Sequence, residues 1–428
     1  MRSPAFRLVL VLTVLGIGGH ALLLPVLPLW VSRAGAGEFG AGSTTGVFMA
    51  TTVATQLTVP WLIRRLGYRA VFGGGLVLLG VPAPFLLVTA ALGPVLVLCA
   101  ARGIGFGLLT VAGSAVVAEL VPPAEHGRAS SRYGYAIGLP LLVLLPLGVA
   151  TVDLVGFIGV FLTAAVAPLL GALLVPFLRI PASPPLPTRE SPAPDRRVGR
   201  PDHPRCEVPG PAWIARFVRS RSHDRESRAS SAADTALRAR NRRSLVRAGV
   251  APMAAMFAGS VAQGGLVTFL PLVAPSASVA VPLALFAAAL GGVVGRGIAG
   301  PLVDRRGPGR LLVPGGVLVA VGMGVEVLAV GQTWLFVPGA LAVGVGFGMV
   351  QNDSLVSLFA AAGPARYGAA SAAWNIGFDA GTGAGASGLG AIAQPFGFRA
   401  AFATAALIQL ATLLLPRSRT GGDAVAEG

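Results

Sequence analysis

The chain has 428 residues, 54% of them hydrophobic and only 12% charged, with a formal net charge of +16. A mean hydropathy of +0.75 leaves too little polar surface to cover a water-soluble globule, in which about 25% of residues are charged, so a soluble enzyme or binding domain is excluded. The basic residues are all arginine, and their placement decides what the positive charge means.

Apolar runs long enough to cross about 30 Å of hydrocarbon recur along the whole sequence. They predict twelve spans at roughly 6–32, 44–63, 69–91, 94–119, 131–152, 155–178, 247–273, 279–303, 310–330, 333–359, 367–391 and 396–416. All are expected to be helices, because lipid offers no partner to an unpaired backbone group. The first is too long for a signal peptide and continues through Pro25 and Pro28 to Trp30, so it is expected to remain. Arg64, Arg65 and Arg69 lie between spans two and three, Arg128 and Arg132 between four and five, and Arg305, Arg306 and Arg310 between eight and nine. The alternate side has Arg33 and Arg399, so the positive-inside rule puts both termini in the cytoplasm of a bacterial cell. Cys99 falls in a span and Cys206 in a polar loop, which offers no disulfide framework.

The polar segment 180–246 opens with Pro181-Ala182-Ser183-Pro184-Pro185-Leu186-Pro187 and is rich in arginine. Such composition predicts a largely disordered cytoplasmic linker. Alternatively, Trp213, Ile214, Phe217 and Val218, interleaved with Arg216 and Arg219, form a short helix on anionic lipid. No recognised nucleic-acid module surrounds these arginines. The linker separates an N-terminal bundle, 1–179, from a C-terminal bundle, 247–418, followed by a tail, 419–428.

The two halves repeat. Gly300-Pro301-Leu302-Val303-Asp304-Arg305-Arg306-Gly307 follows Pro60-Trp61-Leu62-Ile63-Arg64-Arg65-Leu66-Gly67 by roughly 240 residues, and Gly344-Val345-Gly346-Phe347-Gly348 follows Gly103-Ile104-Gly105-Phe106-Gly107 at nearly the same offset. Leu27-Pro28-Leu29 and Leu270-Pro271-Leu272 add a third match. In an apolar helix with no preceding strand, these glycine runs are a packing face and not a nucleotide loop.

Twelve spans, a midpoint repeat and paired charged glycine turns resemble the major facilitator superfamily of secondary transporters. The resemblance implies an all-α fold of two pseudo-symmetric six-helix bundles around a central cavity. Its loop signature, G-x-x-x-D-[RK]-x-G-[RK]-[RK], falls on Gly300, Asp304, Arg305 and Gly307, with Arg310 slightly displaced. The first copy keeps Arg65, Gly67 and Arg69 but has Arg64 where the Asp belongs. In this family the turn latches the halves in the outward-open state, which implies that Asp304 is the working latch here. Without the family, Asp304 and its arginines read as a solvated turn.

Polar residues inside the spans are the remaining candidates, because a charge there faces protein or a water-filled cavity. Ser371, Asn375 and Asp379 recur at i, i+4 and i+8 on one face of span eleven, beside Trp374 and Phe378. A carboxyl there must be paired, hydrated or protonated, which suits a proton carrier; a structural hydrogen bond is the other reading. Arg102 in span four occupies a place where proton-coupled members carry an arginine, although an ion pair or a snorkelling head also explains it. His20 and Gln263 lie at matching depth in spans one and seven, which line the cavity in the family. Gln56 and Glu326 are lesser polar intrusions, with Glu326 read as structural. Arg296 and Asp353 should pair, both lying roughly 10 Å deep from the same face. No zinc cluster, nucleophile elbow or phosphate loop appears, so no metal, cofactor or enzymatic activity is expected.

These features imply a proton-coupled exporter of small organic or amphiphilic compounds. Span five carries Gly138-Leu139-Pro140 in place of the direct Gly-Pro pair of drug exporters. The alternatives are a proton-coupled importer of a sugar or organic acid and a multi-span membrane enzyme or receptor. The expected partners are a small substrate, protons and anionic lipid, with the protein a monomer.

Overall fold

The computed structural model describes residues 3–121, 126–178, 249–273, 279–363 and 366–415. The linker at 180–246, the tail at 419–428, Cys206 and the proposed lipid-surface helix lie outside the described residues. Within them, nine helical runs are long and apolar enough to cross a membrane. Three of these exceed 40 residues and each is broken once by a glycine, at Gly67, Gly156 and Gly397.

Twelve helices result, labelled α1 to α12. They are α1 (Pro4–Arg33), α2 (37–66), α3 (68–80), α4 (Leu92–Leu120), α5 (126–155), α6 (157–174), α7 (Gly249–Val273), α8 (Ala280–Arg306), α9 (Leu312–Ala329), α10 (Phe336–Ala362), α11 (367–396) and α12 (398–413). Ser3 opens the first by accepting the Phe6 N–H on its hydroxyl, with Pro4 at a position where its missing N–H costs nothing. Several helices run past the hydrophobic windows: α2 begins at Gly37, ahead of the apolar stretch, because helical hydrogen bonding continues into the polar interface.

The internal repeat is visible in the backbone. Gly67 has φ 79 and ψ 163, and Gly307 has φ 82 and ψ 161. Gly156 (φ 68, ψ 175) and Gly397 (φ 80, ψ 169) form a second matched pair. Only glycine adopts this region without strain, so each position turns the chain sharply between two antiparallel helices.

Two hydrophobic cores follow. One is built from the first half around Phe6, Phe72 and Phe161. The other is built almost wholly from the second half around Phe269, Phe336 and Phe402, with Leu145 of α5 joining it. Within each half the glycine run of the fourth helix meets a neighbour at backbone distance. A Cβ on Gly105 would lie 2.7 Å from the Gly75 carbonyl oxygen, and one on Gly346 would lie 2.5 Å from that of Gly315. The halves, 1–180 and 248–428, pack as one compact unit, chiefly where α2 meets α11 and α5 meets α8.

Candidate functional site

The contact between α2 and α11 is built from small residues. Gly42 lies against the Ala386 carbonyl and Gly46 against the Ser387 hydroxyl, so the helices touch along their backbones. Two hydrogen bonds tie this end: the Phe39 N–H donates to Gln394 Oε1 at 3.2 Å, and the Ser387 hydroxyl donates to the Gly42 carbonyl at 3.5 Å. This is the end remote from the arginine-rich turns at Gly67 and Gly307.

Further along, Gln56 of α2 donates its Nε2–H to Asp379 Oδ2 of α11 at 2.7 Å. Both residues are buried. Beyond that bond, among the described residues, no other hydrogen bond joins α2 to α11 toward the arginine-rich end, where Leu57, Trp61 and Leu66 are exposed. Asn375 is also exposed, and its amide donates to the Ser371 carbonyl of its own helix. The halves are therefore closed at one end and parted at the other, and the Gln56–Asp379 bridge marks the change.

Trp374 and Phe378 turn toward α10. The Trp374 indole donates to the Ser354 hydroxyl at 3.0 Å, and the Phe378 ring stacks on Phe347 with centroids 6.0 Å apart. These rings hold α11 against its own bundle, while Asp379 on the same helix turns to Gln56 of the other. Gln263 of α7 is half-buried, and its Oε1 has no partner among the described residues.

His20 and Arg102, read separately in the sequence, come together inside the N-terminal bundle. The His20 imidazole lies between Phe48, centroids 4.7 Å apart, and Phe106, 4.5 Å apart. The Arg102 guanidinium lies 5.8 Å from the Phe48 centroid and donates its Nε–H to the Leu79 carbonyl at 3.3 Å. Both line a small pocket with Cys99, Thr44, Thr45 and the leucines of α1. The bond from the Thr52 hydroxyl to the Gly103 carbonyl, 2.9 Å, fixes α4 against α2 at this level.

At the arginine-rich end, Arg64, Arg65, Arg69, Asp304, Arg305 and Arg310 are exposed. Arg65 stacks over the Trp61 ring at 4.6 Å. Asp304 makes no ion pair among the described residues, which do not include the side chain of Arg128. Arg366 donates its Nε–H to the Ala362 carbonyl and so caps α10.

The expected Arg296–Asp353 pair requires correction. Asp353 is fully buried and accepts three backbone N–H groups: Gly309 on Oδ1 at 2.6 Å, and Leu311 and Leu312 on Oδ2 at 2.7 and 3.1 Å. It therefore anchors the turn after Gly307 and caps the first turn of α9, whose free N–H groups carry the positive end of the helix dipole. Arg296 is exposed and forms no ion pair among the described residues. Its backbone supports the close approach of Gly348. Glu326, read as structural, is fully buried between α9 and α10, with neither carboxyl oxygen hydrogen-bonded among the described residues.

The family model for the Major Facilitator Superfamily matches residues 9–386 and again 281–427. Among solved structures, a POT family transporter in complex with a thioalcohol conjugated peptide is similar at 16% identity and a TM-score of 0.70, covering 96% of this chain and 95% of that one. The inward open conformation of the xylose transporter XylE from E. coli is similar at 16% identity and a TM-score of 0.63, covering 97% and 96%. A search of curated proteins finds no match. At these identities the structures speak for the fold alone.

Proposed function

The chain belongs to the major facilitator superfamily, and on that premise we propose that it is a proton-coupled exporter of small organic or amphiphilic compounds, working by alternating access. That it is a multi-pass membrane transporter follows from the family and its apolar helices; the proton, the direction and the substrate class are our reading. The observation that carries it is the hydrogen bond from Gln56 to Asp379.

A carboxylate inside the bilayer is expensive unless it is paired or neutralised. Among the described residues Asp379 has a single side-chain partner, and that partner belongs to the other bundle. While Asp379 is ionised, the bond is charge-assisted and ties α2 to α11. Once Asp379 takes a proton, the bond weakens to that of a neutral pair, and the halves lose a tie at the level where they part. Proton binding and the opening of α2 from α11 thus share one contact, and this is the linkage a secondary transporter needs.

With the arginine-rich end in the cytoplasm, the observed arrangement is closed outside and open inside. An exporter in this state releases its proton and takes up substrate. The latch reading of Asp304 agrees with its lack of an ion pair among the described residues, since the latch is to engage when this end closes. Transport by inverted membrane vesicles, measured with and without a pH gradient, tests the reading. Gradient-dependent accumulation supports export, and gradient-independent equilibration would remove the proton from it.

A further inference from the structure

Among the described residues, Glu326 is the one acid whose two carboxyl oxygens are both buried and both without a hydrogen-bond partner. It is 0% exposed and lies one turn from the end of α9 that is remote from the arginine-rich turns. Its carboxyl rests directly on the backbone of α10. A Cβ on Gly339 would lie 2.7 Å from Glu326 Oε1 and 3.0 Å from its Cδ. Gly322, one turn earlier on α9, makes the neighbouring contact, where a Cβ would lie 2.8 Å from the Gly339 carbonyl oxygen and 2.7 Å from the Val343 nitrogen. Glycines on both helices thus draw the seam shut around the acid and supply no side chain to partner it. No counter-charge faces it either. α7 and the turn 330–335 contain no ionisable residue, and α9 has no other. The one on α10, Asp353, lies 14 residues from Gly339, about 21 Å along the helix. On α11, Asp379 is bonded to Gln56. α12 brings Arg399 to this end of the bundle, but its guanidinium is exposed and donates to the Val330 carbonyl at 2.8 Å, past the end of α9.

We propose that Glu326 is a second proton-binding site, which holds its proton between α9 and α10 throughout the transport cycle. An ionised carboxylate buried without a partner costs several kcal/mol, whereas the neutral acid is tolerated at far smaller cost. The contact with Gly339 leaves no room on that side for a metal ion, so a proton is the cation that fits. The proton stays because the seam does not open. α9 packs on α10 and, where Gly316 meets Gln409 and Leu413, on α12, all within its own half. Rocking of one half against the other leaves such a contact as it is. Glu326 therefore differs from Asp379, whose partner lies across the two halves. Its proton belongs to the structure of the C-terminal bundle, and its loss would drive an unpaired charge between two helices. The inference goes beyond the transport reading, in which Asp379 alone exchanges protons, and does not depend on it.

Infrared spectroscopy of the purified full-length protein in detergent, at mildly alkaline pH, reads the carbonyl stretch that a carboxylic acid has and a carboxylate lacks. Asp379→Asn should keep such a band, and the double variant Asp379→Asn/Glu326→Gln should lose it. Absence of the band from Asp379→Asn would overturn the proposal, even if no Glu326 variant folds. A band that persists unchanged in the double variant would overturn it as well. Heating gives a second readout. A bundle that binds a proton its unfolded chain gives up loses stability as pH rises. The unfolding temperature of Glu326→Gln relative to wild type should therefore climb by about 3 °C or more from mildly acidic to alkaline pH. A gap that does not change with pH would count against a proton held there. In inverted vesicles, Glu326→Gln should keep gradient-driven accumulation within about twofold of wild type. Loss of accumulation in a folded Glu326→Gln would make this a coupling proton and overturn its residence between α9 and α10.

Discussion

Replacing Asp353 with alanine removes the acceptor of three backbone N–H groups that together fix the turn between α8 and α9. Hydrogen bonds to a charged group contribute about 1.5–3 kcal/mol each, and a lost helix N-cap alone costs about 0.5–2 kcal/mol. The three are not additive, and water reaches the turn once it loosens, so a loss of about 3 kcal/mol is expected. Asp353→Asn should retain part of this, since one amide oxygen can still accept. Arg296→Gln should cost less than about 0.5 kcal/mol, as for an exposed side chain with no ion pair among the described residues. The assay is thermal unfolding in detergent, followed by the fraction of monodisperse protein after heating. The order Asp353→Ala, then Asp353→Asn, then Arg296→Gln should hold from most to least destabilised. The decisive variant is the exchange Arg296→Asp/Asp353→Arg. If Asp353 serves backbone donors, the exchange is at least as unstable as Asp353→Ala. Partial rescue by the exchange, seen as a coupling energy in the double-mutant cycle, would refute the anchor and restore the ion pair.

Three further outcomes follow from the same geometry. Gln56→Leu leaves Asp379 without its partner in the other bundle, and should lower the rate of pH-gradient-driven transport about tenfold while leaving the amount of folded protein within twofold, read from vesicle assays and fluorescence size exclusion. Gly307→Ala forces a side chain into a backbone region that only glycine tolerates and should cost about 1–3 kcal/mol in the heating assay, whereas Gly74→Ala, in open space on α3, should be neutral. Asp304→Asn should favour the inward-open state and Arg64→Asp the outward-open state, each by about 1 kcal/mol; labelling of a cysteine placed in the outer half of the cavity reports the shift, and identical labelling in all three proteins would dismiss the latch.

The sequence carried the fold more fully than the site. Apolar length revealed the spans, and the match of Gly67 with Gly307 exposed the repeat before any coordinates, because left-handed turns and close helix contacts admit only glycine. Span ends were harder, since helices such as α2 extend into the interface without any apolar signal. Asp379 stood out as an acid in a glycine-rich helix. Its partner did not, because Gln56 lies 323 residues away, and pairing them needs the rotation of both helices, which polarity alone leaves open. Arg296 and Asp353 show the same limit from the other side. Their depth was legible and their direction was not. Asp353 turned toward the unpaired N–H groups of the next helix, a set of donors that every helix start supplies and no residue letter announces. The grouping of His20 with Arg102 was not legible, because His20 was matched by depth with Gln263, and its place inside one bundle depends on Phe48 and Phe106 closing around the imidazole.

The most direct test of the account is the variant Asp379→Asn in inverted vesicles. An amide keeps the size of the side chain and can still hydrogen-bond Gln56, but it cannot carry a proton. The variant should fold, bind substrate and equilibrate it across the membrane, yet fail to concentrate it when a pH gradient is imposed. A variant that concentrates substrate to the wild-type level would contradict the coupling role of Asp379 and with it the proton-linked bridge between the bundles.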